Sequence, residues 1–322
     1  MISRIGKLVF VVVSVLFLLL FGLVIVFWAP DLSKTQLREE YASSDSRFYV
    51  DSNGNTVHYR DQGVRSGPVV VMIHGTSASL HTWEPLIQSL EKKYRLISFD
   101  LPGHGLTGEV KSREYSSVTY TRSLIQLLDH LDIQSATLMG NSLGGRIAWQ
   151  TAKTNPTRVN TLILLAPAGA KKDSPARSNI GFKVMSSKLG RYLALKLTPR
   201  SVIERSLHQT LYDKQLVSDS MVDRYWRLLR MKGNRQAMSD IFSRRLKGNG
   251  GESYSIPALN HPKLIIWGEE DQILPIEMLD QFEHKWPESM ILRLPKVGHL
   301  PQEEAIAIVS MSLDKFCGLY IC

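Results

Sequence analysis

Apolar and polar positions follow a repeating pattern along this chain of 322 residues. Short continuous apolar runs, typical of strands buried on both faces, alternate with stretches whose apolar residues are three or four apart, as on one face of a helix. Two alternating runs come first and flank the polar residues 51–55, which predicts an antiparallel hairpin. The order predicts an α/β fold with a mostly parallel sheet. The predicted strands cover residues 47–50, 56–60, 68–73, 94–99, 136–139, 159–165, 263–267 and 290–294.

The pattern changes between residues 171 and 257. Apolar residues there recur at helical spacing only, for example at Met221, Tyr225 and Leu228, and strand-like runs resume at residue 263. We therefore predict a helical lid inserted between the sixth and seventh strands. The expected organisation is a membrane anchor, a linker, the first part of the core, the lid and the second part of the core, at residues 1–30, 31–46, 47–170, 171–257 and 258–322.

The apolar run from Leu8 to Trp28 holds 21 residues without a charge. About 20 apolar residues span a bilayer as a helix, whereas a cleaved signal peptide has a shorter apolar region. We therefore expect an uncleaved transmembrane helix, with a buried core helix as the alternative. Arg4 and Lys7 precede the run, and the flank after it is net negative. This asymmetry predicts an N-terminus on the inside and a globular part on the outer, periplasmic or extracytoplasmic, side of the membrane.

Positive charge is concentrated in the predicted lid. Residues 171–257 hold 18 Lys and Arg against 7 Asp and Glu, whereas the whole chain has a net charge of +9. Attraction of the lid to anionic lipid head groups is one interpretation, and a solvated basic surface without a partner is the other. Nucleic acid is not an expected partner, because the chain has no aromatic-interleaved basic motif.

The sequence Gly140-Asn-Ser-Leu-Gly144 lies between a predicted strand and a predicted helix. This is the G-x-S-x-G pattern of a nucleophile elbow, in which a sharp turn exposes the serine and small neighbours make room for it. Ser142 is therefore the candidate nucleophile, and Gly140 and Gly144 shape the turn. The alternative is an ordinary serine in a Gly-rich loop.

A serine nucleophile needs a base and a group that orients the base. His299 follows the last predicted strand and is the candidate base, since parallel strands gather a site at their carboxyl ends. Asp271 follows the penultimate strand and is the candidate acid. The order Ser, Asp, His is that expected for this kind of triad. Three carboxylates stay open as alternatives to Asp271, namely Glu269, Glu270 and Asp173.

Backbone amides are the expected donors of the oxyanion hole. Leu143 begins the helix after the nucleophile, and Thr76 lies in the loop after the first buried strand, so their N–H groups are the candidates. No metal or cofactor site is expected, because the chain has neither an HExxH motif nor clustered ligands. The two cysteines, Cys317 and Cys322, either form a local bridge or remain free thiols.

Together these motifs resemble the α/β-hydrolase family over roughly residues 47–316. The resemblance is to the serine esterases, lipases and C–C-bond hydrolases that carry a lid between strands six and seven. Ser142 differs from the Asp nucleophile of the dehalogenases and epoxide hydrolases. Leu300 stands where C–C hydrolases often have Trp. The landmarks are His74-Gly75, Asp100-x-Pro-Gly-His-Gly105, the elbow, Gly268-x-x-Asp271-x-x-x-Pro275 and Gly298-His299.

The expected function is that of a serine hydrolase, a carboxylesterase or lipase-like enzyme that cleaves esters through an acyl-enzyme. The anchor and the basic lid favour a small, hydrophobic ester as substrate. A C–C-bond or thioester hydrolase with the same triad is the alternative. A ligand-binding module that keeps the fold without turnover is a more distant one.

Overall fold

The computed structural model describes residues 4–170, 190, 192–193, 195–246, 256–320 and 322. Within them, eight strands form one sheet in the order β1-β2-β4-β3-β5-β6-β7-β8. All eight predicted strands are present, each with bounds within three residues of the prediction. The strands are β1 (Ser46–Val50), β2 (Thr56–Gly63), β3 (Val69–Ile73), β4 (Arg95–Phe99), β5 (Ala136–Asn141), β6 (Val159–Leu165), β7 (Lys263–Gly268) and β8 (Met290–Leu294).

The sheet is antiparallel at one edge and parallel over the rest. β1 pairs with β2 and β2 with β4 in antiparallel fashion, whereas every pair from β4 to β8 is parallel. The predicted hairpin and the mostly parallel sheet are thus confirmed. Parallel strands bring their carboxyl ends to one edge of the sheet, and the candidate site residues follow those ends.

Helices cover both faces of the sheet, which explains the continuous apolar runs of the central strands. One face packs against α4, α5 and α9, and the other against α3 and α11. Neighbouring residues of one strand alternate between these two cores, as Leu138 and Met139 do. The helices are α1 (Arg4–Phe27), α2 (Lys34–Tyr41), α3 (Glu84–Leu90), α4 (Ser117–His130), α5 (Leu143–Thr154), α6 (Arg200–Thr210), α7 (Asp219–Leu229), α8 (Asn234–Leu246), α9 (Leu279–Lys285), α10 (Pro301–Glu304) and α11 (Ile306–Leu319).

Helices α6, α7 and α8 lie between β6 and β7, where the sequence predicts the lid. We call residues 195–246 the helical segment. Helix α7 begins at a polar cap, Ser218, whose hydroxyl accepts a hydrogen bond from the amide of Met221. The predicted boundaries at 171 and 257 stay predictions, because residues 171–189 and 247–255 lie outside the described part of the chain.

Residues 31–46, which the polar pattern predicts to be a linker, are packed against the domain. Leu37 of α2 is fully buried in a cluster with Leu106, Leu228 and Met231. The backbone of Leu32 also exchanges hydrogen bonds with the helical segment, since its amide donates to the carbonyl of Arg230 at 2.8 Å. A polar sequence with two leucines in 16 residues does not reveal this docking, because the partners are distant in the chain.

Several basic residues of the helical segment are paired with acids. Arg227 binds Glu40, and Arg235 binds Asp31. Part of the positive charge therefore stabilises the contact with residues 31–40 and is not offered to solvent. This weakens the interpretation of the basic segment as a lipid-binding surface.

Helix α1 contains nearly all of the apolar run of the N-terminus. Within the described part of the chain, a helix long and apolar enough to cross a membrane is not found. The predicted anchor and its orientation thus rest on the sequence pattern alone.

The two C-terminal cysteines, whose pairing the sequence leaves open, form a disulfide. Cys317 in α11 forms a disulfide with Cys322. The bridge closes the end of α11, whose preceding turns pack on the sheet through Leu313 and Phe316.

Candidate active site

The nucleophile elbow has the geometry that its sequence predicts. Ser142 follows the fully buried strand β5 and caps α5, with φ of 53° and ψ of −114°. A left-handed backbone is costly for a residue with a Cβ and marks a strained turn. Glycine is required on both sides, because a Cβ on Gly144 would collide with the carbonyl oxygen of Ile73 and one on Gly140 with the backbone of Gly144.

The candidate base is held by the candidate acid. Nδ1 of His299 lies 2.6 Å from Oδ2 of Asp271, and both side chains are almost completely buried. The other carboxylate oxygen accepts hydrogen bonds from the amides of Ile273 and Leu274 at 2.8 and 2.9 Å. A carboxylate held in this way accepts a hydrogen bond from Nδ1–H and leaves Nε2 as the basic nitrogen.

The competing carboxylates take other positions. Glu269 is exposed, and Glu270 accepts a hydrogen bond from the amide of Val297 at 3.0 Å. Asp173 lies outside the described residues. Among the described carboxylates, Asp271 is the one bonded to His299.

A cavity of about 940 Å³ lies above the carboxyl ends of the strands. It brings together Ser142, His299, Leu143 and Thr76, whereas Asp271 lies behind His299. The helical segment forms much of its wall, mainly with apolar side chains. These lining residues are Val202, Ile203, Ser206, Leu207, Thr210, Tyr225, Leu229, Met238 and Phe242.

The two predicted oxyanion donors, the amides of Leu143 and Thr76, belong to two stretches of backbone that lie next to each other in the fold. Leu143 is the first residue of α5, where the amides are not used by the helix and the helix dipole favours negative charge. The loop that carries Thr76 runs against the nucleophile, since a Cβ on Gly75 would lie 3.3 Å from Cβ of Ser142. This placement is compatible with the predicted roles of both amides.

Asn141 is a site residue that the sequence reasoning missed. Its side-chain amide donates to the carbonyl of Leu165 at 3.1 Å and to the carbonyl of His299 at 3.0 Å. The residue is buried and immediately precedes Ser142. It thereby ties the elbow to the loop of the base. The signal that could have found it is an amide side chain at the end of an otherwise apolar buried strand.

The turn that begins at Asp100 supports the site from behind. The Asp100 carboxylate is bonded to Nδ1 of His58 at 2.7 Å and to the amides of Leu80 and Leu106. Burial alone would raise the pKa of Asp100, but the hydrogen bond and charge of His58 hold that pKa below its usual range. Its neighbour His74 accepts a hydrogen bond from the amide of Leu101 at 3.0 Å, and burial lowers the pKa of this imidazole. These residues shape the loops and do not line the cavity.

Among the described residues, no group of three His, Cys, Asp or Glu side chains is placed to hold a metal ion.

Comparisons with known proteins agree with this architecture. Residues 68–306 match the family model described as alpha/beta hydrolase fold. The chain is 30% identical over 278 residues to the uncharacterized hydrolase YugF of Bacillus subtilis, covering 86% of this chain and 99% of that protein. It is 26% identical over 267 residues to a 2-hydroxy-6-oxononadienedioate/2-hydroxy-6-oxononatrienedioate hydrolase of Comamonas testosteroni, covering 80% of this chain and 90% of that one.

A membrane phospholipase A, described as a bacterial virulence factor, is similar in structure with a TM-score of 0.68 and 20% identity. The likeness covers 98% of this chain and 96% of the phospholipase chain, and at this identity it shows the fold alone. The family model covers most of the chain, at residues 68–306. The chain belongs to the α/β-hydrolase family.

Proposed function

We propose that the protein is a serine hydrolase that cleaves carboxylic esters with a hydrophobic acid or alcohol part. The observation that carries the proposal is that His299, bonded through Nδ1 to Asp271, lines the same cavity as Ser142. The bond uses one ring nitrogen, and Nε2 is left to take the proton of the Ser142 hydroxyl.

The reaction follows from these positions. Oγ of Ser142 attacks the ester carbonyl while Nε2 of His299 takes its proton, and the amides of Leu143 and Thr76 stabilise the oxyanion. The alcohol leaves with the proton from His299, and an acyl-enzyme remains. Water then attacks the acyl carbonyl and gives its proton to His299, which releases the acid and restores Ser142. The Asp271 carboxylate stabilises the imidazolium in both steps.

The cavity supports the choice of a hydrophobic substrate. Its volume lies at the upper end of the range typical of small-molecule sites, and its wall is mainly apolar. Of the described residues that line it, Arg146 is the one with a positive charge. Burial of an acyl chain in this space contributes about 0.8 kcal/mol per CH₂. We expect longer acyl chains to bind more tightly until the cavity is filled.

A panel of p-nitrophenyl esters tests the proposal. The expected result is that kcat/KM rises from the acetyl to the octanoyl ester and that Ser142→Ala abolishes every rate. An enzyme that hydrolyses none of these esters, or that works equally well as Ser142→Ala, would contradict it.

C–C-bond hydrolysis is the second candidate. The similarity to the dioate hydrolase of Comamonas testosteroni favours it, and Arg146 would then face an anionic group of the substrate. Leu300, which follows the base, does not match the Trp frequent in C–C hydrolases. Turnover of esters, acyl thioesters and vinylogous diketones measured side by side separates these chemistries, and we expect the ester to be the best substrate.

We also propose that the N-terminal segment attaches the enzyme to a membrane, with the catalytic domain on the outer side. The uncharged run from Leu8 to Trp28 supports this, since about 20 apolar residues span a bilayer as a helix. Attachment predicts that carbonate leaves the full chain in the membrane and that deletion of residues 1–27 releases it. Complete extraction of the full chain by carbonate would contradict the anchor. The deletion stops at residue 27, because the carbonyl of Pro30 accepts hydrogen bonds from Arg230.

A further inference from the structure

The carboxylate of Glu304 lies between the loop of the catalytic base and the helical segment. Oε1 accepts a hydrogen bond from the amide of Gly298 at 2.9 Å. Oε2 accepts hydrogen bonds from the amides of Tyr212 and Asp213 at 2.6 and 3.3 Å. One side chain therefore joins two pieces of backbone that are more than 80 residues apart in the chain.

The same two pieces of backbone also touch directly. The amide of His299 donates to the carbonyl of Thr210, the last residue of α6, at 2.8 Å. Gly298 permits this approach, because a Cβ there would lie 2.5 Å from the carbonyl oxygen of Thr210 and 2.8 Å from the nitrogen of Tyr212. The loop that carries His299 is thus packed against the end of α6.

Side-chain packing extends this contact beyond the base. Leu300, which follows His299, is buried in a cluster formed otherwise by residues of the helical segment, among them Leu207, Leu211 and Val222. By contrast, the side chain of the neighbouring Glu303 accepts its hydrogen bonds from Thr82 and Tyr225.

Glu304 is also unusual in its environment. Burial raises the pKa of its carboxyl, and the amides of Tyr212 and Gly298 act in the opposite direction. A half-buried carboxylate that accepts three amide hydrogen bonds has a defined orientation, since each amide would otherwise lose its acceptor.

We propose that Glu304 is a positioning residue for catalysis. Its carboxylate fastens residues 210–213 to Gly298 and thereby holds His299 at the cavity wall within reach of Ser142. The inference rests on the proposed serine hydrolase function. The link also couples the base to the cavity wall. When the end of α6 moves outward, His299 moves with it, so hydrolysis requires the end of α6 to be in place.

Glu304→Gln in the full-length protein is the central test. Gln keeps the size of the side chain but has one acceptor oxygen in place of two, so one of the two backbone pieces is released. We expect kcat for a p-nitrophenyl ester to fall between about 10- and 100-fold, because small misplacements of a catalytic group have effects of this size. KM should change far less, since Glu304 does not line the cavity. Glu304→Asp, which keeps both acceptors but is too short to reach both donors, should lose kcat in the same direction.

Two controls separate positioning from general stability. Asp314→Asn removes another carboxylate near the C-terminus, which binds Tyr94 and Lys93 away from the site, and should leave kcat unchanged. In a His299→Ala background, Glu304→Gln should have no further effect on the residual rate, because it acts through the imidazole. Circular dichroism and the melting temperature establish that each variant is folded.

A folded Glu304→Gln enzyme with the kcat of the wild type, when Ser142→Ala is inactive, would overturn the positioning role and leave the triad intact. An equal loss of rate on Glu304→Gln in the wild-type and the His299→Ala backgrounds would overturn the positioning role as well. Full activity of Ser142→Ala would overturn the proposed function and this inference together.

Discussion

Nδ1 of His299 and Oδ2 of Asp271 are 2.6 Å apart, although the two residues leave the sheet from different strands. The two residues are 28 positions apart in the chain. They meet because β7 and β8 pair in parallel, which brings both strand ends to one edge of the sheet. The amides of Ile273 and Leu274 fix the carboxylate from the far side. The pair is therefore oriented before any substrate binds.

Asp271→Asn should reduce kcat by about four orders of magnitude, because an amide in place of the carboxylate favours the wrong tautomer of His299. The measurement is steady-state hydrolysis of a p-nitrophenyl ester. Glu269→Gln changes an exposed carboxylate two positions away and is expected to retain full activity. Equal effects of the two substitutions would show that Asp271 is not the partner of the base.

Gly144→Ala should destabilise the fold by about 3 kcal/mol, the upper end of typical overpacking costs, because the new methyl meets the carbonyl of Ile73. Gly318→Ala is the matched control, since a Cβ at that position has no neighbour within 4 Å. Urea unfolding of both variants provides the comparison. A tolerated methyl at Gly144 would be incompatible with the tight elbow described above.

Leu37→Ala should lower the free energy of unfolding by roughly 2–5 kcal/mol, as for other fully buried leucines. The prediction tests the docking of residues 31–46 on the domain. Val118→Ala, at a position that is 65% exposed, should change the stability little. If chemical denaturation gave the same small effect for both, residues 31–46 would be a loosely attached linker after all.

Stability should fall as the pH drops from about 6.5 to about 4. Burial lowers the pKa of His81 from 6.5 to about 4. The unfolded chain therefore binds a proton over this range that the folded protein does not, so the stability conferred by a neutral His81 is complete above pH 6.5 and lost towards pH 4. The loss amounts to about 3 kcal/mol.

Urea midpoints at pH 7, 5.5 and 4.5 measure this effect. His81→Gln should flatten the dependence, whereas His284→Gln, at an exposed position of α9, should not. The same slope in all three proteins would assign the effect to other groups, such as His74, whose pKa burial also lowers.

The sequence predicts the sheet, the elbow and the positions of His299 and Asp271 because these depend on local patterns. A strand buried on both faces has a continuous apolar run, and a sharp strand-to-helix turn needs glycine. Gly140 and Gly144 are thus visible in the sequence before any tertiary contact is known.

The docking of Leu37 and the roles of Asn141 and Glu304 could not be predicted in this way. Each depends on a contact between residues far apart in the chain, such as Glu304 with Tyr212. A glutamate in a short helix near the surface has the same local pattern whether it faces solvent or accepts three amides. The ion pairs of Arg227 with Glu40 and of Arg235 with Asp31 could not be predicted for the same reason.

The most direct test of the central claim is labelling of the enzyme with a fluorophosphonate probe, together with ester hydrolysis. We predict that the wild type is labelled at Ser142 and hydrolyses the ester, and that Ser142→Ala, with an unchanged circular dichroism spectrum, does neither. Labelling at another residue, or undiminished hydrolysis by Ser142→Ala, would contradict the serine hydrolase mechanism.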